Sequence, residues 1–162
     1  MKRILSFVIA LVLMLTLSAC SAEFADRFTT YTATFTVVVP NPWLNATDNL
    51  SSDLDTCMSL RITTVCANII ENDAVLEPVI EKTGVTLTTS QLREMLSFES
   101  IEDTDMLTVS VTSDDRQQAI DIAQAIAEVA PEIIYEIING VDVQIVDAPT
   151  VTENFSIGKL FR

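Results

Sequence analysis

The sequence predicts a mixed α/β (α+β) domain with a βαββαβ plan, a four-stranded sheet carrying two long helices on one face. Three observations carry this. Leu107, Val109 and Val111 alternate with Thr108, Ser110 and Thr112, the period-two pattern of a strand with one buried face. Straight after it, Ala119, Ile122, Ala123, Ile126, Ala127, Ala130, Ile133, Ile134 and Ile137 recur at helical spacing, and the alanines let such a helix lie close on a sheet. Val141, Val143 and Ile145 then alternate as a last strand. Strand, helix and strand share one apolar interior, which the rest of the chain must cover or extend.

Taken in order, residues 31–39 read as the first strand, β-branched or aromatic, with Tyr31, Ala33, Phe35 and Val37 on one side. Pro40 and Pro42 end it, since neither has an N–H for a ladder. Leu50, Leu54, Met58, Ile62, Val65 and Ile69 trace the stripe of a first long helix ending near Asn72. Asp73 is the expected cap of a shorter helix with Val75, Leu76, Val79 and Ile80, bent at Pro78 and stopped at Gly84. Thr88 and Gln91 have capping-box spacing for a third helix carrying Leu92, Met95 and Leu96. Residues 97–101 form a short strand, joined to the 106–112 strand by the polar turn at 102–105. Ser113, Asp114 and Asp115 open the second long helix. Pro131 kinks it, and Asn139-Gly140 stops it with a left-handed residue. Residues 150–162 show no clear pattern and read as a tail.

The first 19 residues stand apart from this fold. Lys2 and Arg3 precede an apolar run from Ile4 to Ala19, closed by Leu17-Ser18-Ala19-Cys20. A basic start, an apolar middle and a small-residue end make an export signal. Leu-Ser-Ala-Cys resembles the lipobox of bacterial lipoproteins, which implies a lipidated Cys20 and an extracytoplasmic, lipid-anchored chain on a bacterial membrane; the alternative is an uncleaved, short membrane anchor, which also places the remainder outside the cytoplasm. Residues 20–30 are then the lipidated cysteine and its tether. The chain has 9 basic and 23 acidic residues, a net charge of −14 that becomes −16 without Lys2 and Arg3. Such a surface repels nucleic acid and anionic headgroups. Cys57 and Cys66 share the first long helix, nine positions and therefore about 13 Å apart on opposite faces, too far to pair. They read as small apolar packing residues.

Four stretches together resemble the chain-length determinant family, the Wzz-type polysaccharide co-polymerases, in its Gram-positive capsular or exopolysaccharide branch. They are Y-T-A-T-F-T-V-V-V from Tyr31, N-D-A-V-L-E-P-V-I-E-K-T-G from Asn72, and D-T-D-M-L-T-V-S-V-T from Asp103 with the alanine-rich helix after it. The fourth is V-D-V-Q-I-V-D-A-P from Val141. The resemblance covers 31–149 and implies a non-catalytic external domain that influences surface polysaccharide length, biosynthesis or export. Its implied partners are copies of itself, full-length relatives and a polysaccharide polymerase. Members carry a membrane helix on each side of this domain. Here a lipobox leader replaces the first, and 150–162 has no run of about 20 apolar residues for the second. The tail that engages a kinase is also missing, and no phosphate-binding glycine loop is present. Kinase control is not expected, and association without the second helix should be weak. The alternatives are a stand-alone envelope lipoprotein binding a ligand or protein partner, and an inactive truncated remnant.

No enzyme site or cofactor is expected. Without histidine a Ser-His-Asp arrangement is excluded, and the acids sit at helix starts and turns where they have structural reasons to be. Glu102, Asp103 and Asp105 lack the spacing of a calcium loop. Trp43 beside Pro42 is the one residue singled out for interaction, by stacking on sugar or on a neighbouring subunit; covering the end of the core is its alternative role.

Overall fold

The computed structural model describes residues 29–40, 52–101, 104–139 and 141–155, with side chains throughout except at 52–60 and 155. The chain divides into two units, Tyr31–Thr152 and the terminal stretches Met1–Thr30 with Glu153–Arg162. The described elements are β1 (Thr29–Val38), α1 (Ser52–Ile70), α2 (Asp73–Thr83), α3 (Thr89–Glu94), β2 (Leu96–Ser100), β3 (Met106–Ser113), α4 (Arg116–Ile137), β4 (Gln144–Ile145) and β5 (Thr150–Phe155). In the smaller unit the described residues are extended, and the Thr30 hydroxyl donates to the Asn154 carbonyl at 3.3 Å.

The sheet runs β2-β3-β1-β4, with β5 also paired to β1. β1 and β3 are antiparallel, Tyr31 opposite Ser113 through Val38 opposite Met106. β2 is antiparallel to β3, Leu96 opposite Val111 through Ser100 opposite Leu107. Because side chains alternate, this register puts Ala33, Phe35 and Val37 beside Val111, Val109 and Leu107 on one face, all buried. Leu96, Phe98 and Ser100 continue that face. The helices cover it: α4 packs on β3 and α2, and α1 touches α4, β2 and β3. The mixed fold and its two long helices are as the sequence pattern predicts.

Local chemistry explains the helix limits. Asp115 caps α4, its carboxylate accepting from the N–H groups of Gln117 at 2.7 Å and Gln118 at 3.2 Å. Thr88 and Gln91 form the capping box of α3. Gly84, at φ 66°, ends α2, and its N–H donates to the Ile80 carbonyl. Asn139, at φ 32°, supplies the positive-φ residue beyond α4. Pro78 and Pro131 both lie inside helices.

Several expectations need correcting. The described sheet has five strands, because part of the stretch read as a patternless tail forms β5. Its pattern is faint because it lies along β1 with Thr150, Thr152 and Glu153 exposed and only Val151 packed against the core. The Val146 N–H donates to the Thr36 carbonyl at 2.9 Å, and the Thr150 and Thr152 hydroxyls reach the Thr34 and Thr32 carbonyls at 3.4 Å. Between them Pro149 has no N–H to give, which accounts for the break between β4 and β5. β4 itself is only Gln144–Ile145; Val141 and Val143 are buried outside any strand, while Ile145 is exposed. β1 starts at Thr29, two residues inside the expected tether. Asn72, not Asp73, caps α2, its side chain accepting from the Ala74 N–H at 3.1 Å. In α1, Val65 is 45 % exposed, and among its described side chains Ile62, Thr63, Cys66, Ile69 and Ile70 are buried. In α4, Ile137 is 55 % exposed, and Ala125 joins the core.

Candidate functional site

Of the residues singled out in the sequence, Cys20, Trp43, Glu102 and Asp103, and the side chain of Cys57, lie outside the described residues. Asp105 is described. Its carbonyl accepts from the Val39 N–H at 2.8 Å, and its Oδ1 is buried without a partner. Cys66 is buried and unpaired, and burial pushes its thiol up to about 11. Among the described residues no group of three or more acidic or cysteine side chains is placed to hold a metal ion. No helix among them is long and apolar enough to cross a membrane.

Two surfaces stand out. The first is the outer face of the sheet. The strands that bury apolar side chains inward turn Thr32, Thr34 and Thr36 outward opposite Thr112, Ser110 and Thr108. Thr32 and Thr112 share a hydroxyl hydrogen bond at 3.1 Å, and Thr34 and Ser110 another at 3.2 Å. Ser97 and Glu99 extend two of these rows onto β2. In a chain of net charge −14, the outward positions of β1 and β3 therefore carry no charge along their paired length.

The second is a groove of about 270 Å³ where the end of α2 meets the middle of α4, lined by Lys82, Thr83, Asp121, Gln124, Ala125 and Glu128. Helical spacing places Asp121, Gln124, Ala125 and Glu128 on one side of α4. Lys82, in the last turn of α2, reaches across to the Glu128 carboxylate at 2.6 Å. The Gln124 amide donates to the same carboxylate at 3.1 Å. Hydrogen bonds from Lys82 and Gln124, with the Lys82 charge, hold the Glu128 carboxyl below its usual range, so it is ionised at neutral pH. Gln117 donates to Asp121 at 2.8 Å, and the Thr83 hydroxyl donates to the Val79 carbonyl at 2.8 Å. Ala125, 4 % exposed, supplies a small side chain at the base of the groove.

Sequence reasoning did not find this groove. The polar pairs at 117/121 and 124/128 are visible at four-residue spacing, as on many solvated helix faces. What makes them part of a site is that α2 lies against them, a contact between residues 46 positions apart.

No family model matches the chain. It is similar to the "Probable capsular polysaccharide biosynthesis protein YwqC" of Bacillus subtilis (strain 168), 30% identical over 86 residues. The match takes in 53% of this chain and 35% of that protein, so the chain spans about a third of this relative's length. The similarity links part of the chain to a protein of capsular polysaccharide biosynthesis.

Proposed function

We propose that this chain is a non-catalytic, extracytoplasmic module that influences the length, biosynthesis or export of a surface polysaccharide. The observation that carries the reading is the 30% identity over 86 residues to a capsular polysaccharide biosynthesis protein. The mixed sheet-and-helix fold is the one the residue pattern of the same stretch predicts. Three of the described acids have structural roles, in keeping with a non-catalytic reading. Asp73 pairs with Arg93 at 2.7 Å, Glu128 pairs with Lys82, and Asp115 caps α4.

In this reading Cys20 carries lipid and holds the domain at the outer surface of a bacterial membrane. Tethering raises local concentration, so weak contacts with copies of the chain, with full-length relatives or with a polymerase suffice. Without Lys2 and Arg3 each copy carries a charge of −16, which opposes self-association within about 8 Å at physiological salt and favours a partner over a free-standing oligomer. The test compares surface glycan in the wild type, a deletion strain and a complemented strain. The deletion is expected to shift the glycan length distribution or amount and complementation to restore it. Unchanged glycan in all three overturns the proposal.

A further inference from the structure

The groove between α2 and α4 has a chemistry and a size of its own, and we infer that it takes one uncharged hexopyranose unit of a glycan. The inference rests on the polysaccharide reading for the source of the sugar, and on the groove alone for the binding. Its volume of about 270 Å³ falls just under the roughly 300 Å³ at which pockets for drug-sized ligands begin, room for a single ring.

The lining offers what a ring of hydroxyls needs. Each sugar hydroxyl both donates and accepts, so its site must present both kinds of group. Lys82 has three N–H donors and gives one to Glu128, leaving two. Asp121 and Glu128 are acceptors with capacity beyond the bonds they already make, since a carboxylate has about four lone-pair positions. The Gln124 carbonyl and the Thr83 oxygen add two further acceptors. Adjacent hydroxyls of a pyranose can therefore bridge from the ammonium to a carboxylate across the groove.

Order and charge refine the class. Lys82 and Gln124 both bond the Glu128 carboxylate, which sets the three side chains beside one another at the groove, with Lys82 and Glu128 about half exposed and open to a ring from solvent. The backbones that carry them belong to two helices packed against each other. The lining holds one cation against two carboxylates, on a chain of net charge −14. A uronic acid would bring a third carboxylate into that space, so the groove selects an uncharged ring against an acidic one.

The test is an amide NMR titration of the full chain with methyl β-D-glucopyranoside, and separately with sodium glucuronate at matched ionic strength. The glucoside is expected to saturate shifts at residues 82–83 and 121–128 with a dissociation constant of about 1–10 mM, the weak range expected of an open single-ring site. Glucuronate should bind at least about tenfold more weakly. Gln124→Ala and Asp121→Ala, at exposed positions of α4, should each weaken the glucoside by about tenfold or more while the melting temperature stays put. Ala125→Leu, which fills the groove, should abolish the shifts. Absence of saturable shifts, shifts centred elsewhere, equal binding of glucuronate, or full binding by the Gln124 and Asp121 variants overturns the inference. If the deletion strain alters its glycan while the groove binds no sugar, only this inference falls. If the groove binds sugar while the glycan is unchanged, the polysaccharide role falls and the site stands.

Discussion

α4 and α1 are the two long helices on the sheet, and they are seated on different chemistry. Every buried position of α4 is apolar: Ala119, Ile122, Ala123, Ala125, Ile126, Ala130 and Ile134. α1 buries Ile62, Cys66, Ile69 and Ile70, but also Thr63 at 0 % exposure. The Ser100 hydroxyl, on the edge strand β2, donates to the Thr63 oxygen at 3.0 Å. An apolar stripe sets the rotation of its helix by which side chains it takes out of water. A buried hydroxyl is costly unless it meets its partner, so Thr63 ties one rotation of α1 to the position of β2. α4 thus supplies the adhesion of this fold, whereas α1 also carries a lock and a titratable group, Cys66.

The largest effect should come from placing a charge in the apolar seat. Ile126→Asp puts an unpaired carboxylate at a position with 0 % exposure. It is expected to cost more than about 4 kcal/mol and to abolish cooperative folding, read by circular dichroism on heating. A wild-type melt would break the account of α4.

Next comes the apolar share of α1. Ile70→Ala, at a fully buried site, should cost about 2–5 kcal/mol in urea unfolding. A loss under about 1 kcal/mol would mean that α1 is an appendage and only α4 holds the sheet.

Cys66 sharpens the contrast through pH, because α4 buries nothing that titrates. Burial lifts its thiol from 9.0 to about 11. The native state thus keeps a proton that the unfolded chain has lost between those values. Stability from this group is constant below about pH 9 and falls as pH rises towards 11, by at most about 2–3 kcal/mol. Urea unfolding between pH 7.5 and 10.5 should show a steeper alkaline loss for the wild type than for Cys66→Ala. Parallel curves would show that the thiol is not sealed in the seat.

The same contrast governs what could be read from the sequence. α4 was legible because its alanines and isoleucines define one phase, and only Ile137, in the last turn, strays. In α1 the apolar residues fit two phases one residue apart. A stripe through Ile62, Val65 and Ile69 competes with one through Ile62, Cys66 and Ile70, and Thr63 argues for neither. The arbiter is Ser100, 37 positions away on β2, and such a contact leaves no local mark. β1 and β3 were legible for the reason α4 was, their apolar and hydroxyl residues alternating from Tyr31 to Val37 and from Leu107 to Thr112. β5 was not, since an edge strand with mostly exposed threonines needs no apolar alternation. The groove stayed hidden because Lys82 and Glu128 meet only once α2 lies on α4.

The lock itself predicts a smaller loss. Thr63→Val keeps the shape and removes the acceptor, leaving the Ser100 hydroxyl without it. A cost of about 1–2 kcal/mol is expected, of which Ser100→Ala in the same chain should recover a part. A double-mutant cycle in urea measures this, and additive losses would show that the two hydroxyls are neighbours rather than a coupled pair.

The smallest effect is the most discriminating. Val65→Glu introduces a charge into α1 at the position the simple stripe would bury. Where Val65 stands, 45 % exposed, the new carboxylate keeps its water. Glutamate is also a better helix former than the β-branched valine, by a few tenths of a kcal/mol. Arg61, exposed one turn earlier, offers it a surface partner worth a similar amount at most. Against these stands one more negative charge on a chain already at −14, a repulsion that salt weakens. The terms nearly cancel, so stability should stay within about 0.5 kcal/mol and the melting temperature within about 2 °C. If α1 were turned by one residue, so that Val65 rather than Cys66 faced the sheet, the same substitution would bury an unpaired carboxylate and unfold the domain as Ile126→Asp does. A thermal melt of the two variants side by side therefore reads the rotation of α1 directly: one collapse and one unchanged curve fit this structure, and two collapses do not.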